Sequence, residues 1–153
     1  MSRPLTKTFL IRPMREGDCV TVAALSSELG YPTDAGSVSR RFIGLLSRPD
    51  NAMFVAVDHT ATIRGWLHAY GVRLLETDGY VEIGGLVVAS DTRRLGAGRA
   101  LLAEAEEWTH AQGYVEVRLR SGVHREDAHA FYRAVGYEQS KASFMFVRRV
   151  RLP

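Results

Sequence analysis

The sequence predicts a mixed α+β fold, and three observations carry the prediction. Apolar residues recur at helical spacing in several stretches, and β-branched or aromatic runs bounded by turn residues lie between them. Their order is helices first, then a meander of strands, then strand and helix in alternation, which suits a single mixed sheet with helices against it. At 153 residues the chain reads most simply as a single domain, 1–153, long enough for a sizeable core.

Thr8 to Arg12 is a short apolar segment ended by Pro13, consistent with a first strand. Asp18 is a plausible N-cap for a helix carrying Val20, Val22, Ala23, Leu25 and Leu29, which Gly30-Tyr31-Pro32 stops. Val38, Phe42, Leu45 and Leu46 predict a second helix, closed by Pro49-Asp50-Asn51. Met53 to Val57, Ile63 to Leu75 and Tyr80 to Val88 read as successive strands joined by polar turns. A third helix is expected from Arg99, with Leu101, Leu102, Ala105 and Trp108 on one face and Gly113 as its stop. A strand over Tyr114 to Leu119, a helix from about Asp127 to Val135 and a last strand over Phe144 to Arg149 complete the reading.

Composition removes several classes. Hydrophobic residues make up 46% and charged ones 24%, an ordinary globular balance. No apolar run approaches the ~18 residues of a membrane span, and the apolar stretch before Arg12 is too short for a secretory signal, so a cytoplasmic setting is expected. Cys19 is the only cysteine, which excludes an internal disulfide and zinc held by cysteines. The five histidines show no metal-ligand spacing, so no metal is expected. A net charge of +3 suits a polyanionic ligand, and without a helix-turn-helix or an aromatic-basic pattern nucleic acid is not expected as the partner.

The most informative stretch is Leu86 to Trp108. A buried-strand run, Leu86-Val87-Val88, meets the basic glycine turn Arg93-Arg94-Leu95-Gly96-Ala97-Gly98, and a helix follows. The first N–H groups of a helix lack intrahelical partners and sit at the positive end of its dipole, so they attract phosphate. Gly96 and Gly98 let an anion approach the backbone, and Arg93, Arg94 and Arg99 add full charges. A plain strand-to-helix turn with solvated arginines is the alternative. A Walker loop is excluded because Arg99-Ala100 follows Gly98, and a dinucleotide fingerprint because Leu101 fills the third glycine position.

The R-x-x-G-x-G run of Arg93, Gly96 and Gly98 resembles the acyl-CoA pyrophosphate loop of the GNAT superfamily of acetyltransferases. Ala128-His129-Ala130-Phe131-Tyr132-Arg133-Ala134-Val135-Gly136-Tyr137 resembles the A-x-x-F-Y-x-x-x-G-F/Y segment of the same superfamily. The two come in the right order with a strand between them, and the pattern spans about Ile11 to Arg149. The resemblance implies an α/β/α layered fold whose mixed, mostly antiparallel sheet has two splayed parallel central strands, here Tyr80–Val88 and Tyr114–Leu119. Gly84-Gly85 inside the first of these is a candidate bulge, able to turn ladder N–H groups towards a ligand.

The activity so implied is transfer of acetyl from acetyl-CoA to a primary amine by direct attack in a ternary complex. A non-catalytic acyl-CoA-binding sensor of the same fold is the alternative. Tyr132 then corresponds to the proton donor for the leaving thiolate, and Glu82 to the general base of the histone-acetyltransferase branch. Taken on their residue types alone, Tyr132 is equally a packed helix aromatic and Glu82 a solvated strand carboxylate. By the same resemblance, backbone N–H groups of Leu86, Val87 and Val88 meet the pantetheine arm and the oxyanion, and Arg93, Arg94, Gly96, Ala97, Gly98 and Arg99 hold the pyrophosphate. Arg125 stands where many relatives have asparagine and is read as a phosphate contact or a solvated residue; His129 is a candidate for the adenosine end.

The resemblance also implies that the first two helices and their connection, Val20 to Leu46, shape the pocket for the acceptor, a small-molecule or protein amine. Glu28, Tyr31 and Asp34 there would suit a cationic amine, with Glu76 or Asp78 adding to the field, and ordinary surface charge explains each of them equally well. Trp66, His68 and Tyr70 share one strand face and line the acceptor pocket or fill core. A homodimer is a further expectation from the resemblance.

Overall fold

The computed structural model describes residues 9–152. The chain divides into two compact units, Met1–Leu119 and Arg120–Pro153. The first unit holds a five-stranded sheet in the order β1 (Leu10–Pro13), β2 (Asn51–Val57), β3 (Ile63–Val72), β4 (Tyr80–Val88) and β5 (Val117–Leu119). All neighbours are antiparallel except β4 and β5, which run parallel, so the mixed sheet is the one expected. Helices α1 (Cys19–Glu28), α2 (Ala35–Leu46) and α3 (Ala97–Ala111) complete this unit.

Alternation along β3 sorts the layers. Trp66 packs, as Val38 of α2 does, against the cluster of Val22 of α1 with Val55 and Val57, and it donates its indole N–H to Ser26 Oγ at 3.2 Å. Gly65, Leu67 and Ala69 take the opposite face and are buried, and Leu101 of α3 closes over Gly65. Helix α3 presents Leu101, Leu102, Ala105 and Thr109 to the core, a stripe of three- and four-residue steps, while Trp108 is half-buried.

Helices α1 and α3 end alike. In each a glycine with positive φ (Gly30, Gly113) is followed by a tyrosine whose N–H returns to the last turn, from Tyr31 to Ser26 and from Tyr114 to Thr109. This closure explains why β5 starts at Val117 and not at Tyr114. Strand β3 stops at Val72, short of the expected Leu75, and Leu74 and Leu75 are exposed. The first strand begins at Leu10; Thr8 lies outside the described residues.

Asp18 does not act as a side-chain cap for α1. Its carboxylate accepts two bonds from the Arg12 guanidinium, at 2.8 and 2.9 Å, and one from the Arg15 N–H at 2.8 Å. The Arg12 hydrogen bonds hold the buried carboxyl below its ordinary range against the opposing effect of burial. Cys19 beside it is buried, and burial pushes its thiol up, as suits a structural cysteine.

The turn between β2 and β3 is organised by Asp58. Its Oδ1 accepts from the Thr60 N–H and hydroxyl and the Thr62 N–H, and its Oδ2 from Arg64 Nε at 2.8 Å. The Thr60 hydroxyl first, then Arg64, hold this carboxyl well below the usual range. A depressed folded-state value means its stabilisation is complete above about pH 4 and is lost as pH falls through the lowered value. Asp58→Ala is therefore expected to lower Tm at pH 7, and the deficit should shrink as a thermal-melt series descends towards pH 2. A deficit independent of pH would contradict this account.

The second unit contains α4 (Glu126–Ala134) and no strand among the described residues. The strand expected over Phe144 to Arg149 is absent, and Phe144, Met145, Phe146 and Val147 are exposed. A strand exists only with a ladder partner for its N–H and C=O groups, and within this unit no other strand offers an edge.

Candidate functional site

Two features of β4 prepare it for a ligand. His68 of β3 pairs with Gly85, but the next residue, Ala69, pairs with Ile83, so Gly84 is the extra residue of a bulge. On the other edge, pairing with β5 ends at Ile83 and Leu119, while β4 runs on to Val88. Beyond Ile83 that edge has no ladder partner among the described residues, and Leu86, Val87 and Val88 lie on it. A strand that continues after its partner has stopped offers free N–H and C=O groups to an extended amide ligand.

The bulge also decides which side chains meet. Without it, Tyr70 would oppose Ile83 and Glu82 would face the wrong neighbour; with it, Tyr70 lies opposite Glu82. The Tyr70 hydroxyl donates to Glu82 Oε2 at 2.7 Å. Position 84 has to be glycine for this packing: a Cβ there would stand 2.9 Å from the Tyr70 ring and 3.3 Å from His68 Nδ1. The His68 and Tyr70 rings lie with centroids 5.4 Å apart and planes tilted by 35°, and His68 Nε2 is hydrogen-bonded to Asn51 Oδ1 at 2.7 Å. Burial pushes the His68 imidazole down, favouring its neutral form. Asn51, His68 and Tyr70 line an open cleft of about 630 Å³ together with Arg48, Asp50 and Gly71.

After β4, a single 3₁₀ turn (Ser90–Thr92) leads into the basic loop. Arg93 is extended, Arg94 is left-handed with φ of 66°, and Gly96 is left-handed with φ of 96° and starts α3. Gly96 is needed for that conformation, and turns with left-handed residues gather N–H groups into concavities that bind anions. The helix begins at Ala97, two residues earlier than expected, because Gly96 serves as its N-cap. No side chain caps it, in contrast to α2, where the Asp34 carboxylate accepts from the Ser37 N–H. The first N–H groups of α3 are thus left for an outside acceptor, beside the exposed Arg93, Arg94 and Arg99. These residues fit a diphosphate.

In the second unit, α4 closes as α1 and α3 do: Gly136 has φ of 100°, its N–H returns to Arg133, and the Tyr137 N–H donates to the Tyr132 carbonyl at 2.9 Å. The Tyr132 ring meets Tyr137 edge-on at 6.3 Å and Phe131 at 5.4 Å. The Y-x-x-x-G-Y spacing is thus a helix stop that pins the tyrosine. Arg125 is the exposed N-cap residue of α4, without a side-chain cap bond, and His129 Nε2 is hydrogen-bonded to the Gly122 carbonyl at 2.8 Å.

The profile of the Acetyltransferase (GNAT) family matches residues 21–137, more than half of the chain. The chain belongs to that family. The acetyltransferase is 30% identical over 108 residues to the uncharacterized N-acetyltransferase YhdJ of Bacillus subtilis (strain 168), covering 71% of this chain and 75% of that protein. It is therefore an acetyl-CoA-dependent acyltransferase. Aminoglycoside N-acetyltransferase AAC(6')-Iy, solved in complex with CoA, superimposes with a TM-score of 0.83 at 18% identity, covering 97% of this chain and 100% of that one. A transcriptional regulator from Bacillus halodurans C-125 does so with a TM-score of 0.82 at 23% identity, covering 92% and 100%. Such low identities speak for the fold alone.

Within the acetyltransferase, Glu82, Leu86 to Val88 and the loop from Arg93 to Arg99 belong to the first unit, while Arg125, His129 and Tyr132 share α4 of the second. Glu28 is exposed and accepts from Ser90 Oγ at 3.2 Å, and Tyr31 is exposed at the end of α1. Neither lines the cleft beside Tyr70. Sequence reasoning missed Arg48, Asp50 and Asn51 as cleft residues; it placed the acceptor region over Val20 to Leu46, just short of them. No helix among the described residues is long and apolar enough to cross a membrane, and no group of metal-ligating side chains occurs among them.

Proposed function

We propose that the protein is an N-acetyltransferase that moves acetyl from acetyl-CoA to a primary amine by direct attack in a ternary complex, acting as one domain, 1–153. The observation that carries this reading is the bulged, half-unpartnered β4 leading into an uncapped α3. Backbone groups of Leu86, Val87 and Val88 bind the pantetheine arm, and the α3 amides with Arg93, Arg94, Gly96, Ala97, Gly98 and Arg99 bind the pyrophosphate. Arg125 and His129 reach the nucleotide end. Glu28 and Tyr31 contribute to the acceptor side.

When bound, the thioester supplies an electrophilic carbonyl carbon. Glu82 takes a proton from the acceptor ammonium, so that a neutral amine attacks. The new N–C bond forms, the attacking nitrogen releases its surplus proton to solvent, and the C–S bond breaks as Tyr132 gives its phenolic proton to the departing sulfur and regains one from solvent. Amides at the end of β4 face the negative charge that develops on the carbonyl oxygen.

Thiol release from acetyl-CoA across a panel of amines tests the reaction. Binding of acetyl-CoA without release on any amine would overturn the proposal and fit a sensor. Tyr70 acts as a positioning residue through Glu82. Tyr70→Phe is expected to lower kcat by about ten-fold, the value of a hydrogen bond to a charged group. In the Glu82→Gln background the same change should have little further effect, since the pair acts as a unit. Additive losses would remove Tyr70 from that role.

A further inference from the structure

The cleft beside Tyr70 carries charges that the chemistry above does not use. Arg48 and Asp50 lie two residues apart on the segment joining α2 to β2, and both line the cleft. Among the described residues neither forms an ion pair, with each other or with any other group. Their backbone is fixed: Asn51 N–H bonds to the Arg48 carbonyl at 3.3 Å, and Gly71 N–H of β3 to the Asp50 carbonyl at 2.8 Å. The wall is thus tied to the sheet before any ligand arrives, which lowers the ordering cost of binding. His68, held by Asn51 and kept towards its neutral form by burial, adds no charge opposite them. The neighbouring, tilted His68 and Tyr70 rings give the cleft an aromatic flank.

An unpaired cation and an unpaired anion on one wall are complementary to a ligand that carries both signs. A polycationic acceptor would need several carboxylates, whereas this cleft offers Asp50, with Glu82 behind Tyr70, and sets Arg48 against it. The planar guanidinium is suited to grip a carboxylate with two parallel bonds. Resting on the transferase reading above, we infer that the acceptor is a small zwitterion, an amine bearing its own carboxylate, with Arg48 holding the carboxylate and Asp50 on the ammonium side. Tyr70 lines this cleft and its hydroxyl bonds to Glu82, so one hydrogen-bonded residue links an amine seated there to the base.

The experiment compares amino acids with amines of the same carbon skeleton that lack the carboxylate, and with an aminoglycoside, by thiol release from acetyl-CoA. The wild type should favour the best amino acid over its carboxylate-free counterpart by about ten-fold or more in kcat/KM. Arg48→Gln should raise KM for that amino acid by about the same factor with kcat largely kept, and bring the preference towards unity. Arg48→Lys should recover part of the loss. Preference for the aminoglycoside or the carboxylate-free amine, or an Arg48→Gln variant with the preference intact, would overturn the inference while leaving the transferase reading standing. No release with any amine would overturn both.

Discussion

Tyr132→Phe is expected to lower kcat by about 10²–10⁴, the range of general acid catalysis, while acetyl-CoA affinity is retained. The prediction follows from what the substitution leaves in place. Tyr132 sits in the last turn of α4, where its carbonyl accepts from the Tyr137 N–H at 2.9 Å and its ring packs on Phe131 and Tyr137. Phenylalanine keeps the ring and those aromatic contacts, so the helix stop and the ring direction survive. What is lost is the hydroxyl proton that the proposed reaction gives to the leaving sulfur. Steady-state kinetics should therefore show the loss in kcat, and thermal melts with acetyl-CoA should show a shift equal to that of the wild type. An unchanged kcat would return Tyr132 to the role of a packing aromatic. A lost thermal shift would instead assign its hydroxyl to binding.

The fold was legible where local pattern and tertiary context agree. Strand β4 has the bounds read from the sequence, Tyr80 to Val88, because its β-branched run and its flanking turns point the same way. The Gly84-Gly85 pair was readable as a bulge for the same reason: glycine inside a strand has few other uses. Asp18 stands at the N-cap of α1 as its residue type suggests, but its carboxylate is taken by an arginine of the preceding strand, a partner that local pattern does not name. The Phe144 to Arg149 run has strand composition, yet β-propensity is realised only against a neighbour, and composition does not name one.

The site divides along the same line. The basic loop, the α3 start and the Tyr132 segment are contiguous in sequence, so their spacing is visible as motif. The Tyr70–Glu82 bond is not, because it depends on a register that one extra residue resets. The cleft joins positions 47–51 to 68–71, and no linear pattern announces that meeting. Glycine roles were also only half readable. Sequence alone presents Gly96 as room for a ligand, and its φ of 96° shows that it first serves the entry into α3.

Arg93→Glu combined with Arg94→Glu is expected to weaken acetyl-CoA binding by about 10²-fold or more, since hydrogen bonds to charged groups contribute about 1.5–3 kcal/mol each and reversal replaces attraction by repulsion. Both arginines are exposed, on a loop whose backbone is set by left-handed Arg94 and Gly96, and α3 begins without a side-chain cap. Their removal from the anion site therefore leaves the core untouched, and the unliganded Tm should change little. Ligand-induced stabilisation gives the readout. At a concentration about 100 times Kd a ligand adds about 2.7 kcal/mol, which for a domain of this size corresponds to a rise in Tm of roughly 5–10 °C. With Kd raised 10²-fold the same concentration adds only about 0.4 kcal/mol, a shift of about 1 °C. The shift should also shrink with added salt in the wild type more than in the variant, because the exposed charges that salt screens are gone from the latter. Equal shifts in the two proteins would mean that the α3 amides hold the diphosphate unaided, or that the anion binds elsewhere. Gly96→Val separates those cases: by straining the left-handed entry to α3 it should abolish the shift in the first and spare it in the second.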